Sequence, residues 1–99
     1  MATRYKVSYL PLADADIERI AKALVDYPNK ASRLIKEMDE NLLKLEDMPY
    51  MWPVFHTNPK YRKMVLEDHL LFYIVDEQMH EVKVCRVLYE KMNISSHLR

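Results

Sequence analysis

No glycine occurs anywhere in the 99 residues. Glycine is the residue that enters left-handed backbone conformations without steric cost, so turns and helix ends here must be built from Asp, Asn and Pro. The same absence excludes glycine-rich phosphate loops and dinucleotide fingerprints, and with them the nucleotide-cofactor chemistry those loops serve. Chain reversals must therefore fall at short polar turns and at prolines.

A chain of this length is expected to form one domain, residues 1–99, burying roughly 60–70% of its unfolded surface around a single core. Its hydrophobic share of 49% and charged share of 30% are those of a globular protein. No apolar run approaches the roughly 20 residues of a membrane span, and the opening residues lack the pattern of a secretory leader, so a cytoplasmic location is expected. The single cysteine, Cys85, excludes an internal disulfide and a cysteine-rich zinc module, and reads as a small buried hydrophobe. Lys plus Arg equals Asp plus Glu at 15 each, which leaves no basic field for non-specific nucleic-acid binding. Any anion site must be local.

Residues 4–9 alternate, with Tyr5, Val7 and Tyr9 on one face, the signature of a half-covered strand that Pro11 ends. From Leu12 the period changes to that of a helix reaching about Asp26, with Ala13, Ile17, Ile20 and Leu24 as its apolar stripe. Asp14, Asp16 and Glu18 lie in its first turns, where the helix dipole favours negative charge. Pro28 is suited to open a second helix, running to about Glu46 on a stripe of Ala31, Leu34, Ile35, Met38, Leu42 and Leu45. The short connection predicts a helical hairpin, whose two stripes need a sheet to cover.

Residues 47–59 hold three prolines and an aromatic cluster and read as an ordered loop closing one end of the core. Three strands follow at about 60–67, 69–76 and 80–89, separated by a tight turn at Glu67-Asp68 and a looser one from Asp76 to Met79, most simply as an antiparallel meander. The last ten residues read as a short helical turn or a tail crossing back over the sheet. The order β-α-α-β-β-β gives an α+β fold of two layers, with helices on one sheet face and the other face free. Pairing of the first strand stays open on pattern alone.

The unusual residues are Arg62 and Arg86, set among apolar neighbours in the strands. Each taken alone is most simply a side chain that reaches water or pairs with Glu67 or Glu81. Their occurrence in what read as neighbouring strands, with Lys60, Lys63 and Lys83 close in sequence, points toward a phosphate-sized anion site. Tyr89 is a candidate proton donor or a packing ring. The four histidines lack zinc spacing; His69 and His80 are explained as surface or turn residues, while His56 and His97 remain candidate acids or bases.

Four stretches, YKVSYLPLADADIERIAKAL at 5–24, the helix and loop from Pro28 to Val54, YRKMVLEDHLLFYIVD at 61–76 and VKVCRVLYEKMNISSHL at 82–98, resemble the RelE/ParE superfamily of bacterial type II toxins, also known as plasmid-stabilisation or addiction-module proteins. The resemblance implies that the first strand joins the same, mainly antiparallel, four-stranded sheet, and that the chain is a toxin neutralised by a cognate antitoxin. RelE-like members cleave mRNA on the ribosome and so block translation; ParE-like members share the fold and inhibit DNA gyrase. For the ribosome-dependent endoribonuclease, or mRNA interferase, the resemblance implies attack by the RNA 2′-hydroxyl on the adjacent phosphate, with no metal or other cofactor. By position it implies Arg62 as phosphate holder, Arg86 as stabiliser of developing charge, Tyr89 as donor or stacking group and His97 in proton transfer. His56, Lys60, Lys63 and Lys83 would contact substrate. The mRNA interferase is the leading expectation, with a gyrase inhibitor or a toxin that retains only antitoxin binding as alternatives.

Overall fold

The computed structural model describes residues 4–98. The elements run β1 (Lys6–Tyr9), α1 (Pro11–Ala23), α2 (Pro28–Leu45), β2 (Arg62–Val65), β3 (His69–Asp76), β4 (Glu81–Tyr89) and a four-residue α3 (Ile94–His97). Both long helices begin on a proline, whose missing N–H would have no intrahelical partner there. Pro11 thus starts α1 as well as ending β1. The helix stops at Ala23, short of the expected Asp26, because Leu24 leaves helical geometry and the chain turns through Tyr27, whose N–H donates to the Leu24 carbonyl at 2.8 Å.

The four strands form one sheet in the order β1-β4-β3-β2. The meander β2-β3-β4 is antiparallel, and β1 runs parallel to the outer side of β4, with Lys6 opposite Glu81 and Tyr9 opposite Val84. β2 is shorter than expected, four residues in place of eight. Its outer edge is covered by the 53–55 segment, with an isolated bridge between Val54 and Arg62 and a bond from the Lys63 N–H to the Pro53 carbonyl at 3.0 Å.

The helices cover one face of the sheet. Ala13 of α1 and Leu34, Met38, Leu42 and Leu45 of α2 pack on Met64, Leu71, Tyr73, Val82, Val84 and Val87. Ile35, placed on the buried stripe by periodicity, is 50% exposed. Nor is the opposite face free: Tyr61, Phe72, Cys85, Leu88 and Leu98 form a second buried cluster, with Phe55 from the loop and Ile94 from α3 against it. The aromatic loop therefore closes both cores. Trp52 packs on the helix side, Phe55 lies on the other, and the Pro49 carbonyl accepts the buried Tyr73 hydroxyl at 2.8 Å.

One irregularity of the sheet positions Arg86. Between Phe72 and Tyr73 the pairing shifts: Phe72 opposes Arg86 and Tyr73 opposes Val84, so β4 carries Cys85 as an extra residue. Such a bulge exchanges the faces of the residues beyond it. Strict alternation from Val82 and Val84 would have driven Arg86 into the dry core beneath the helices. The bulge puts Val87 there instead and moves Arg86 to the far face.

Candidate functional site

β3 lies between the strands that carry Arg62 and Arg86, so these strands are not neighbours, and the two side chains leave opposite faces. Arg62 opposes Tyr73, which belongs to the helix-side core; Arg86 opposes Phe72, which belongs to the other.

Arg86 is held by Asp16, not by Glu67 or Glu81. Its Nε donates to Asp16 Oδ2 at 2.8 Å and its Nη2 to Oδ1 at 3.0 Å, while Nη1 donates to the His97 carbonyl at 2.9 Å. Asp16 is 1% exposed, and it also accepts the Val87 N–H at 2.9 Å and Arg19 Nη1 at 2.9 Å. β1 ends at Tyr9, opposite Val84, so the Val87 amide on the same edge of β4 has no strand beside it. The carboxylate supplied by α1 takes the place of that strand. Burial pushes the Asp16 carboxyl up, but the bonds from Arg86, Val87 and Arg19 outweigh it and hold the group below the ordinary range. Arg86 is correspondingly held protonated by Asp16. Asp16, read from sequence as a dipole-complementing acid, was missed as a partner. Its signal was its phase, because it falls three residues after Ala13 and four before Ile20, on the buried stripe.

Arg62 sits at the edge strand with its Nη1 donating to the carbonyls of Trp52 at 2.8 Å and Tyr50 at 3.4 Å. Its guanidinium lies 4.8 Å from the centre of the Tyr50 ring. Tyr50 and Tyr5 both donate to Glu77, Tyr50 at 2.6 Å, and the Tyr5 hydroxyl is pushed up to about 12 by that carboxylate.

On the far face an open groove of about 660 Å³ brings together Lys60, Arg86 and His97, with Leu10, Tyr61 and Cys85 among its walls. Burial raises the Cys85 thiol, which disfavours the nucleophilic thiolate form. The other expected residues are elsewhere. Lys83 pairs with Asp76 at 3.0 Å, Lys63 lies 5.4 Å from the centre of the Phe55 ring, and His56 is exposed with its ring edge-on to Phe55. Tyr89 lines a separate cavity with Arg19, Lys30, Asp68 and His69. There His69 is buried, contrary to its reading as a surface or turn residue; it contacts Asp68 through Nδ1 at 2.7 Å, and Lys30 holds the other carboxylate oxygen at 2.7 Å. Among the described residues no cluster of His, Cys, Asp and Glu is arranged to hold a metal ion, and no helix is long and apolar enough to cross a membrane.

The fold has solved counterparts. The chain is similar to a chain of the chromosomal ParDE toxin–antitoxin system from P. aeruginosa, with 18% identity and a TM-score of 0.70, covering 89% of this chain and 98% of that one. It is also similar to a chain of the toxin–antitoxin complex RelBE2 from Mycobacterium tuberculosis, with 20% identity and a TM-score of 0.55, covering 87% and 98%. No curated protein matches the sequence. The family model for the ParE toxin of the type II toxin–antitoxin system parDE matches residues 7–94, nearly the whole of the sheet and its helices. The chain accordingly belongs to the ParE toxin family of type II toxin–antitoxin systems, within the RelE/ParE superfamily.

Proposed function

We propose that this toxin acts by stoichiometric binding to DNA gyrase and not by cleaving RNA, and that a cognate antitoxin neutralises it. The observation that carries the reading is the engagement of Arg86 within its own chain: each of its three guanidinium nitrogens donates to Asp16 or to the His97 carbonyl. Stabilising a phosphorane-like transition state requires preorganised donors aimed at the developing charge. Arg86 is preorganised, but toward a carboxylate of its own chain, and Arg62 is on the other face of the sheet. Membership of the ParE family supports the same target.

Antitoxin capture is supported by the apolar groove of about 340 Å³ between α1 and α2, walled by Ile17, Ile20, Leu24, Ala31, Ile35 and Met38. It suits the apolar face of an amphipathic helix. Both solved counterparts named above come from toxin–antitoxin systems.

A second reading, the ribosome-dependent endoribonuclease, is favoured by the meeting of Lys60, Arg86 and His97 in the far-face groove. It would rest on those three residues, since Tyr89 and Arg62 lie outside the groove. The two readings separate in one pair of assays. Purified toxin added to gyrase and relaxed plasmid should inhibit supercoiling and yield broken DNA, while mRNA in a translation extract stays intact. Cuts at the ribosomal A site, with gyrase unaffected, would reverse the assignment.

A further inference from the structure

Around Arg62 lies an exposed patch with the composition of a protein interface. Tyr50 is 47% exposed, Met51 40%, Val54 42% and Met79 67%. Contacts on both sides of Arg62 gather them. Val54 bridges Arg62 across the edge of β2, and the bond from Tyr50 to Glu77 ties the loop to the β3–β4 turn that carries Met79. Tyrosine, methionine and arginine are enriched at protein interfaces, and tyrosine and arginine dominate their energetics.

The charges narrow the occupant. Arg86, Lys30 and Lys83 are each paired with an aspartate, but among the described residues no carboxylate lies within ion-pair distance of Arg62. The acid joined to this patch, Glu77, is taken up by the Tyr5 and Tyr50 hydroxyls. Carbonyl bonds and the Tyr50 ring hold the guanidinium in place, so little side-chain entropy remains to be lost on binding. A nucleic-acid surface would instead need several cations tracking a backbone.

We propose that this patch is the docking surface for the target protein, where Met51, Met79 and Tyr50 pack on an apolar segment and Arg62 pairs with a carboxylate that the segment carries. The inference rests on the gyrase-binding reading above and names the toxin surface that performs it. The patch shares no residue with the α1–α2 groove assigned to the antitoxin.

The test uses DNA gyrase holoenzyme with relaxed plasmid as the probe, and compares wild-type toxin with Met51→Ser/Met79→Ser and Arg62→Gln. Both methionines are exposed, so the double variant should keep the wild-type unfolding midpoint and still require at least about tenfold more toxin for half-inhibition, the scale of one interface anchor. Arg62→Gln should fall by a similar factor. If the double variant inhibits as well as wild type, the surface is wrong, whether or not Arg62→Gln fails; failure of Arg62→Gln alone would mark a contact to DNA phosphate. A wild type that leaves gyrase untouched brings down the target itself, and this surface with it.

Discussion

Asp16 and Arg86 show how one pair of side chains decides what a β-strand arginine can do. Removing one member of a buried pair leaves an uncompensated charge, so Asp16→Ala should lose about 3–5 kcal/mol of stability by urea denaturation. The double change Asp16→Leu/Arg86→Met should recover much of that loss, because no charge is then left buried without a partner. Protonation gives a second handle. The folded carboxyl titrates below its ordinary value of 3.8, so the unfolded chain takes up the proton first. The stabilisation is therefore whole above the ordinary carboxylate range and is lost as pH falls through the lowered folded value. The thermal midpoint of the wild type should drop steeply below roughly pH 4, and Asp16→Asn should flatten part of that drop. Arg86 was legible in the sequence as an anomaly. Its partner stands 70 residues away in another element, which no local pattern connects.

The elements were legible wherever periodicity and proline agreed. Pro11 and Pro28 mark the helix starts, and β3 runs over the eight residues that alternation and turn residues delimit. The bulge at Cys85 leaves only a trace in the sequence, where the V-x-V alternation of Val82 and Val84 resumes one residue late at Val87; the pairing with β3 is what makes Cys85 the extra residue. Without glycine, the β3–β4 turn needs another residue for its left-handed position, and His80 takes it with φ of 53°, its ring stacked on Tyr5 at 3.7 Å. A β-branched residue pays heavily for that conformation. His80→Val should therefore destabilise the fold by about 1–2 kcal/mol, read from its denaturation midpoint, with His80→Asn much closer to wild type. The helix stripe misplaced only Ile35, because a stripe about 100° wide includes positions at its margin that packing decides.

At the scale of the molecule, the second core is what a sheet with one supposedly free face did not suggest. Leu98, 6% exposed, reaches back from beyond α3 to lie with Phe72 and Leu88. Truncating it should cost at least about 2 kcal/mol as Leu98→Ala, measured by chemical denaturation, and should loosen the segment whose His97 carbonyl Arg86 holds. The sequence by itself determined the class of fold, the order of elements and the exclusion of nucleotide-loop and cysteine-zinc chemistry, because residue types and periods of 2 and 3.6 are local properties. Only the tertiary structure decided which arginine is paired with a carboxylate of its own chain and which is held by backbone carbonyls. That choice turns on β3 separating their strands, on a one-residue bulge and on a carboxylate delivered by a helix. Each of these is a long-range juxtaposition, set by how the layers close on one another.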